Sequence, residues 1–393
     1  VVGKPNTGKS TFFRAATLAK AETGDYPFTT VEPNRGVAFV RVPEPAVEFG
    51  VKPQPRNSLS ISGYRYVPVE MIDVPGLVRG AHAGRGLGNR FMDELRRAPA
   101  LVHVVDASGA TDAEGNAVEP GTHDPCEDVE FLEREVMLWY RGVLERNWEK
   151  IKRRLSLGRE SLPAVLSEVL AGLGIDERQV KAALREAKLP EAPAGWGEEE
   201  LAELSSALWR ASRRLLIAAN KVDVAAATEN VERLKERFPH RRVVPVSAMA
   251  ELVLRELAER GAVRYVPGEG GFEIAGKLSE RERKALKIIK ERVLEPYGST
   301  GVQEVINTAV LELLGRIVVF PVADEHRLCD SEGRVLPDAL LLEKGATARE
   351  LAYAIHTDLG ERFVAAVDVR TGRRISGDEP LKHLAVIKIQ VRP

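Results

Sequence analysis

The chain has 393 residues, 44% of them apolar, with 57 Lys and Arg against 58 Asp and Glu, a length that implies two or three domains at about 150 residues each and excludes a single small module. The balanced charge excludes a globally basic nucleic-acid coat protein, and two distant cysteines, Cys126 and Cys329, exclude a disulfide framework or a zinc site and point to a reducing, cytoplasmic compartment. No apolar run approaches the roughly 18 residues that span a bilayer and no signal peptide precedes the first motif, so no membrane partner is expected.

The chain opens on Val1-Val2-Gly3 without an initiator Met, which reads as a first strand cut short. Gly3-Lys4-Pro5-Asn6-Thr7-Gly8-Lys9-Ser10 then matches GxxxxGK[ST] without a mismatch. Glycines let consecutive backbone N–H groups turn inward around phosphates, the following helix adds its positive N-terminal end, and Lys9 reaches the outer phosphates. Ser10 offers a hydroxyl to Mg2+. The expected nucleotide-binding set here is Gly3, Lys4, Pro5, Asn6, Thr7, Gly8, Lys9, Ser10 and Thr11.

A threonine-bearing loop, Tyr26-Pro27-Phe28-Thr29-Thr30, leads to an apolar strand over Gly36 to Val42, and Thr30 is the candidate second magnesium ligand. The proline-rich segment Pro43 to Arg65 matches no functional motif. A strand over Val67 to Ile72 ends in Asp73-Val74-Pro75-Gly76, the DxxG pattern. Strand ends are where such sheets bind ligands; Asp73 would hold the metal, and the Gly76 amide would sense the terminal phosphate. Gly76 to Gly88 is too glycine-dense for a stable helix and reads as a mobile switch before a helix-like stretch, Asn89 to Arg97. The expected catalytic set is Lys9, Thr30 and Gly76; the metal set is Ser10, Thr30 and Asp73.

Asp73 and Asn220 are 147 residues apart, far more than two further strands need. Residues Glu127 to Ser212 read as a helical insertion with apolar positions three and four apart, broken at Gly158, Pro163, Gly174 and Pro190. Within it, Arg141 to Arg159 carries seven basic residues against Glu145 and Glu149, with Trp148 interleaved. That stripe suits RNA phosphate, and equally suits a solvated helix face.

A strand over Arg214 to Ala219 precedes Asn220-Lys221-Val222-Asp223, and a strand over Arg242 to Val246 precedes Ser247-Ala248. Asp223 can accept from the ring N–H and the exocyclic amine of guanine, whereas adenine would leave that carboxylate unpaired, a difference on the order of 10⁴ in discrimination. Asn220 would bond the imidazole side of the purine, the Lys221 stem would cover the ring, and the Ala248 amide would meet the guanine carbonyl. GTP rather than ATP is the expected ligand. Amphipathic stretches at Glu251 to Arg260, Ser279 to Leu294 and Thr300 to Leu314 follow, and Arg370, Arg373 and Arg374 cluster at one expected turn of the tail.

Taken together, GKPNTGKSTFF at Gly3, DYPFTTVEPN at Asp25, DVPGLVRGAHAGRGLGNRF at Asp73, NKVD at Asn220 and STGVQEVIN at Ser299 resemble the Obg-like GTPases, specifically the archaeal-looking YchF subgroup. The tail, with Val335 to Asp338, Lys344 to Thr347 and His356 to Leu359, is similar to a TGS domain, a small β-grasp module. The resemblance implies an α/β fold: a P-loop G domain with a mainly parallel sheet (residues 1–126 and 213–314), a helical insertion (127–212) and a TGS domain (315–393). It implies a magnesium-dependent GTPase that turns GTP into GDP and phosphate and signals to the ribosome or structured RNA. Leu77 stands where Ras-like proteins carry a water-orienting glutamine, so hydrolysis cannot follow that route; the resemblance implies that Asn6 helps to hold K+. Water-orienting roles for His82 or His123 are outweighed by that of bland surface histidines. The alternatives are a nucleotide-gated adaptor with negligible hydrolysis and an ATPase like some relatives, the latter disfavoured by Asp223.

Overall fold

The computed structural model describes residues 1–17, 34–74, 94, 98–190, 192–212 and 215–392. Its strands are β1 (Arg35–Pro43), β2 (Leu59–Ile61), β3 (Tyr64–Ile72), β4 (Leu101–Asp106), β5 (Leu215–Asn220), β6 (Arg242–Val246), β7 (Val263–Tyr265), β8 (Phe272–Ile274), β9 (Arg316–Val322), β10 (Leu340–Glu343), β11 (Phe363–Asp368), β12 (Arg373–Ile375) and β13 (Val386–Val391). The chain forms two compact units, Val1–Ser10 with Asp73–Val246, and Thr11–Ile72 with Ser247–Pro393.

In the first unit β4, β5 and β6 form a parallel sheet. Every residue of β4 and β5 is buried, which is why both read as apolar runs rather than alternating strands: a parallel sheet is covered on both faces. Val2 bridges His103 of β4 in parallel, and the Val74 N–H donates to the Val1 carbonyl at 3.0 Å. The P-loop and Asp73 therefore leave the sheet side by side.

The helical insertion is built on a 32-residue helix, Pro125–Ser156. Asp124 caps it by accepting from the Cys126 N–H, proline takes its first position, and Glu127 and Asp128 face the positive end of its dipole. Val129, Leu132, Val136, Tyr140, Leu144, Trp148 and Ile151 make its buried stripe, which packs on the helix Glu198–Ser212. Pro163, expected as a break, instead starts the helix Leu162–Leu170, where its missing N–H costs nothing.

Trp148 does not interleave with the basic stripe. Its ring is buried and stacks on Trp196 at 5.6 Å with 6° between planes. Of the seven basic residues, Arg141 pairs with Glu145 and Glu198, Lys152 with Glu149, and Arg154 with Glu160 and Glu168. Arg146, Lys150, Arg153 and Arg159 are the exposed remainder.

In the second unit β1 and β3 pair antiparallel from Arg35↔Ile72 to Pro43↔Tyr64. β3 starts earlier than its apolar content suggests because Ser62 and Gly63, at φ +49° and +82°, turn the chain in a two-residue hairpin from β2. The outer edge of β1 meets the helix Val302–Asn307: Gln303 Nε2 donates to the Phe39 carbonyl at 2.7 Å, Asn307 Nδ2 to the Arg41 carbonyl at 2.8 Å, and the Arg41 N–H to Asn307 Oδ1 at 2.9 Å. Two amide side chains thus satisfy a strand edge that would otherwise stay open.

The C-terminal sheet runs β10-β9-β13-β11-β12 and packs the helix Ala348–Ile355 through Val319, Leu351, Phe363 and Ile387, the β-grasp arrangement expected of a TGS module. The proline-rich segment docks on it: Gln54 N–H donates to the Val335 carbonyl and Arg56 N–H to the Pro337 carbonyl, both at 2.8 Å, and the fully buried Arg65 donates to Glu44, Ser58 and the Leu336 carbonyl. The clustered tail arginines are partly engaged, Arg370 with Glu48 and Arg373 with Glu379.

Candidate nucleotide-binding site

The P-loop needs its glycines for contact as much as for conformation. A Cβ on Gly3 would stand 2.5 Å from the Val104 carbonyl oxygen, and one on Gly8, at φ +87°, would stand 2.3 Å from Asn220 Nδ2. Thr7, fully buried, donates its hydroxyl to the Lys4 carbonyl at 3.1 Å and closes the turn. Lys9 and Ser10 open the helix Lys9–Thr17, with Thr11 behind them. The Lys9 ammonium group pairs with Asp73, so the residue expected to bind outer phosphates and the carboxylate expected to hold the metal meet at one point, one residue from the exposed Ser10 hydroxyl. A hydroxyl and a carboxylate are hard oxygen donors of the kind Mg2+ takes, with phosphate and water completing its shell. Among the described residues no cluster of three or more His, Cys, Asp or Glu offers a metal an all-protein cage.

Two neighbours of Lys9 aim elsewhere. Lys4 is 5% exposed and donates to Asp128 and the Thr111 carbonyl, which leaves a nucleotide only its backbone. Asn6, at φ +63°, donates Nδ2 to the Gly115 carbonyl at 2.8 Å and keeps Oδ1 for another partner. Pro5 is exposed.

The Asn220–Asp223 loop is bolted to the P-loop. Asn220 is buried and donates Nδ2 to the Thr7 carbonyl at 2.9 Å. Lys221, at φ +69°, donates to the Asn6 carbonyl at 2.8 Å and to Asp106 at 2.8 Å. Asp223 is half-buried at the mouth of this loop. In the second unit, the Ser247 hydroxyl accepts from the Ala250 N–H and caps the helix Ala248–Glu259, whose first residue is the buried Ala248. The Ser247 N–H donates to the Thr300 carbonyl at 3.0 Å, and the Thr300 and Tyr265 hydroxyls both donate to the buried Glu251. Burial beside that carboxylate pushes the Tyr265 hydroxyl well above its ordinary pKa.

Thr30, Gly76, Leu77 and His82 lie outside the described residues. His123 is not a surface histidine: its side chain is 9% exposed and its Nε2 stands 2.9 Å from Asp128 Oδ1. Sequence reasoning missed Asp106, fully buried at the end of β4, where it accepts from Lys221, Ser108 and Thr111. Its signal was an acid closing the run Leu101 to Val105, apolar but for His103, the same strand-end position that Asp73 holds.

Residues 1–130 match the model of the 50S ribosome-binding GTPases, residues 218–324 that of the Obg-like GTPase YGR210-like, G4 motif-containing domain, and residues 332–391 that of the TGS domain. An uncharacterized GTP-binding protein of Methanocaldococcus jannaschii is 49% identical over 99% of this chain and 98% of its own. The ribosome-binding ATPase YchF of Haemophilus influenzae is 29% identical over 93% of this chain and 86% of its own. The crystal structure of a GTP-binding protein from Pyrococcus horikoshii is 40% identical, superposes with a TM-score of 0.77, and covers 100% of this chain and 98% of its own. A P-loop tied to an NKxD loop, a β-grasp tail and relatives that match end to end lead to one conclusion: the chain belongs to the Obg-like, YchF-type family of GTP-binding proteins.

Proposed function

We propose that the chain hydrolyses GTP to GDP and phosphate with Mg2+ and works in the cytoplasm as a switch on the ribosome or its RNA. The observation that carries this reading is the meeting of Lys9 with Asp73 beside Ser10, because phosphoryl transfer depends on positioning and charge stabilisation more than on covalent chemistry. In this reading the P-loop amides and Lys9 hold the β- and γ-phosphates. Ser10, Asp73 and, from its sequence position, Thr30 would hold Mg2+, which when bound would supply positive charge against the phosphates. The Gly76 amide reports the terminal phosphate.

Asp223 selects guanine over adenine, Asn220 and Lys221 hold the loop that carries it, and Ser247 and Ala248 serve the base carbonyl. Leu77 cannot orient water, so we assign the missing positive charge to K+, with Asn6 Oδ1 the atom free to meet it because Nδ2 already serves Gly115. The relative named a ribosome-binding ATPase supports the ribosomal half of the reading and raises ATP as the competing substrate. We keep the division into G domain (1–126 and 213–314), helical insertion (127–212) and TGS domain (315–393), with Arg146, Lys150, Arg153 and Arg159 as the basic residues left for RNA.

The test is nucleotide turnover with K+ or Na+ as the only monovalent ion, with and without ribosomes, and with ATP competing against GTP. Turnover of GTP stimulated by K+ or ribosomes is expected. Tight GTP binding with flat, negligible turnover in every condition would replace the enzyme with a nucleotide-gated adaptor, and ATP competing as well as GTP would make it an ATPase.

A further inference from the structure

Lys4 occupies a position whose identity the GxxxxGK[ST] pattern leaves open, yet its charged side chain is buried. It is 5% exposed, lies 2.8 Å from Asp128 Oδ1 and donates to the Thr111 carbonyl at 3.0 Å. Asp128 sits in the first turn of the helix Pro125–Ser156, and His123 Nε2 stands 2.9 Å from the same oxygen. Two more ties lie alongside. Asn6 Nδ2 donates to the Gly115 carbonyl at 2.8 Å, and Gly115 sits so close that a Cβ there would be 2.9 Å from the Pro5 carbonyl oxygen. One corner of the P-loop is thus held by the segment before the long helix and by that helix's own first turn.

This arrangement is a costly way to gain stability. Removing two charges from water costs several kcal/mol per ion, and apolar side chains of similar volume do as well or better. The cost is visible at Asp128: burial pushes its carboxyl pKa up against the opposing pull of Lys4 and His123, and its Oδ2 has no hydrogen-bond partner. A charge pair does have one advantage over an apolar contact, a fixed direction and length. The helix it holds spans roughly 48 Å at 1.5 Å per residue, so a tilt of about 5° at its first turn moves its far end by about 4 Å.

We propose that Lys4 and Asp128 are positioning residues that tie the P-loop to the long helix, so that nucleotide occupancy and the placement of the helical insertion are two ends of one equilibrium. The proposal rests on nucleotide binding at the P-loop and is indifferent to hydrolysis. By linkage, whatever displaces the insertion changes nucleotide affinity by the same factor that nucleotide changes the insertion.

The chain carries its own reporter. Its four tryptophans, Trp139, Trp148, Trp196 and Trp209, all fall within the helical insertion, so tryptophan emission, excited at wavelengths that tyrosine does not absorb, reads that part alone. The experiment titrates the full chain with GDP and with a non-hydrolysable GTP analogue in Mg2+, follows tryptophan emission, and measures affinity separately by displacement of a fluorescent GDP. Wild type is expected to change emission in step with occupancy. Asp128→Asn, and the double variant Lys4→Met with Asp128→Leu, which strands no charge, are expected to lose that change. Both should bind GDP about fivefold or more weakly, the lower end of ordinary coupling between sites, because the P-loop loses a tie that orders it.

Fluorescent GDP bound to wild type with silent tryptophans overturns the tie and leaves the nucleotide reading standing. A double variant with the full emission change also overturns it. If fluorescent GDP fails to bind wild type, both readings fall together. The wild-type titration needs no variant, so the test survives a substitution that does not fold.

Discussion

Lys221 Nζ lies 2.8 Å from Asp106 Oδ2 and 2.8 Å from the Asn6 carbonyl oxygen, so one ammonium group joins the Asn220–Asp223 loop, the end of β4 and the P-loop. Hydrogen bonds to charged groups contribute about 1.5–3 kcal/mol each. Lys221→Met is therefore expected to weaken GDP and GTP binding alike by about tenfold to a hundredfold. Equilibrium displacement of a fluorescent nucleotide checks this, and an unchanged Kd would show that the clamp has no energetic role.

Gly8 is the second point of close approach. Gly8→Ala places a Cβ 2.3 Å from Asn220 Nδ2 and forces a side chain onto φ +87°, two separate penalties. We expect nucleotide affinity to fall by more than about tenfold, since left-handed backbone alone costs roughly 1–2 kcal/mol outside glycine. Adding Asn220→Ala removes the clash and leaves the backbone penalty, so the double variant should stay impaired. Wild-type affinity in Gly8→Ala would contradict the geometry.

His103 should make folding stability fall with acid. It is buried at 2% exposure in the middle of β4, and burial, reinforced by the nearby Lys4 charge, pushes its pKa down from 6.5 to about 3. The unfolded chain therefore takes up a proton near pH 6.5 that the folded chain refuses. This contribution is complete above pH 6.5 and is lost on descent towards pH 3, at about 1.4 kcal/mol per pH unit. Urea unfolding between pH 7 and pH 5 should reveal that slope, and His103→Leu should lack its share of it.

Arg65 anchors the proline-rich segment. It is fully buried, bonds Glu44 at 2.7 and 3.0 Å, and donates to the Leu336 carbonyl at 2.9 Å. Arg65→Met strands the buried Glu44 and is expected to cost about 3–5 kcal/mol in denaturant unfolding. Adding Glu44→Leu removes the stranded charge and should recover most of the loss. If the double variant is no more stable than the single one, the penalty comes from the lost tie to Leu336 rather than from the ion pair.

What could be read from the sequence was chemistry carried by neighbours along the chain. A phosphate loop needs its glycines, lysine and hydroxyl in one short stretch, so GKPNTGKS announces it. Strand β6 falls on Arg242–Val246, where apolar content and the following Ser247-Ala248 placed it. The long helix was legible from apolar residues three and four apart, but its start was not: it begins at Pro125 behind the Asp124 cap, two residues before Glu127, where the sequence reading opened the insertion. The family resemblance, and with it the α/β fold and β-grasp tail, rested on such contiguous signals.

Tertiary structure alone decided which groups meet across the chain. Lys4 and Asp128 are 124 residues apart, Lys221 and Asp106 are 115 apart, and Arg65 and Leu336 are 271 apart; no periodicity or motif spacing encodes pairs that only packing brings together. The basic stripe shows the limit most plainly. Its charges could be counted in the sequence, but Arg141 and Arg154 take carboxylates from Glu198 and Glu168, and Trp148 turns inward onto Trp196. Composition sets how much charge and aromatic surface a segment carries, whereas burial and partner geometry, which depend on what lies opposite in space, set how much of it remains to meet a ligand.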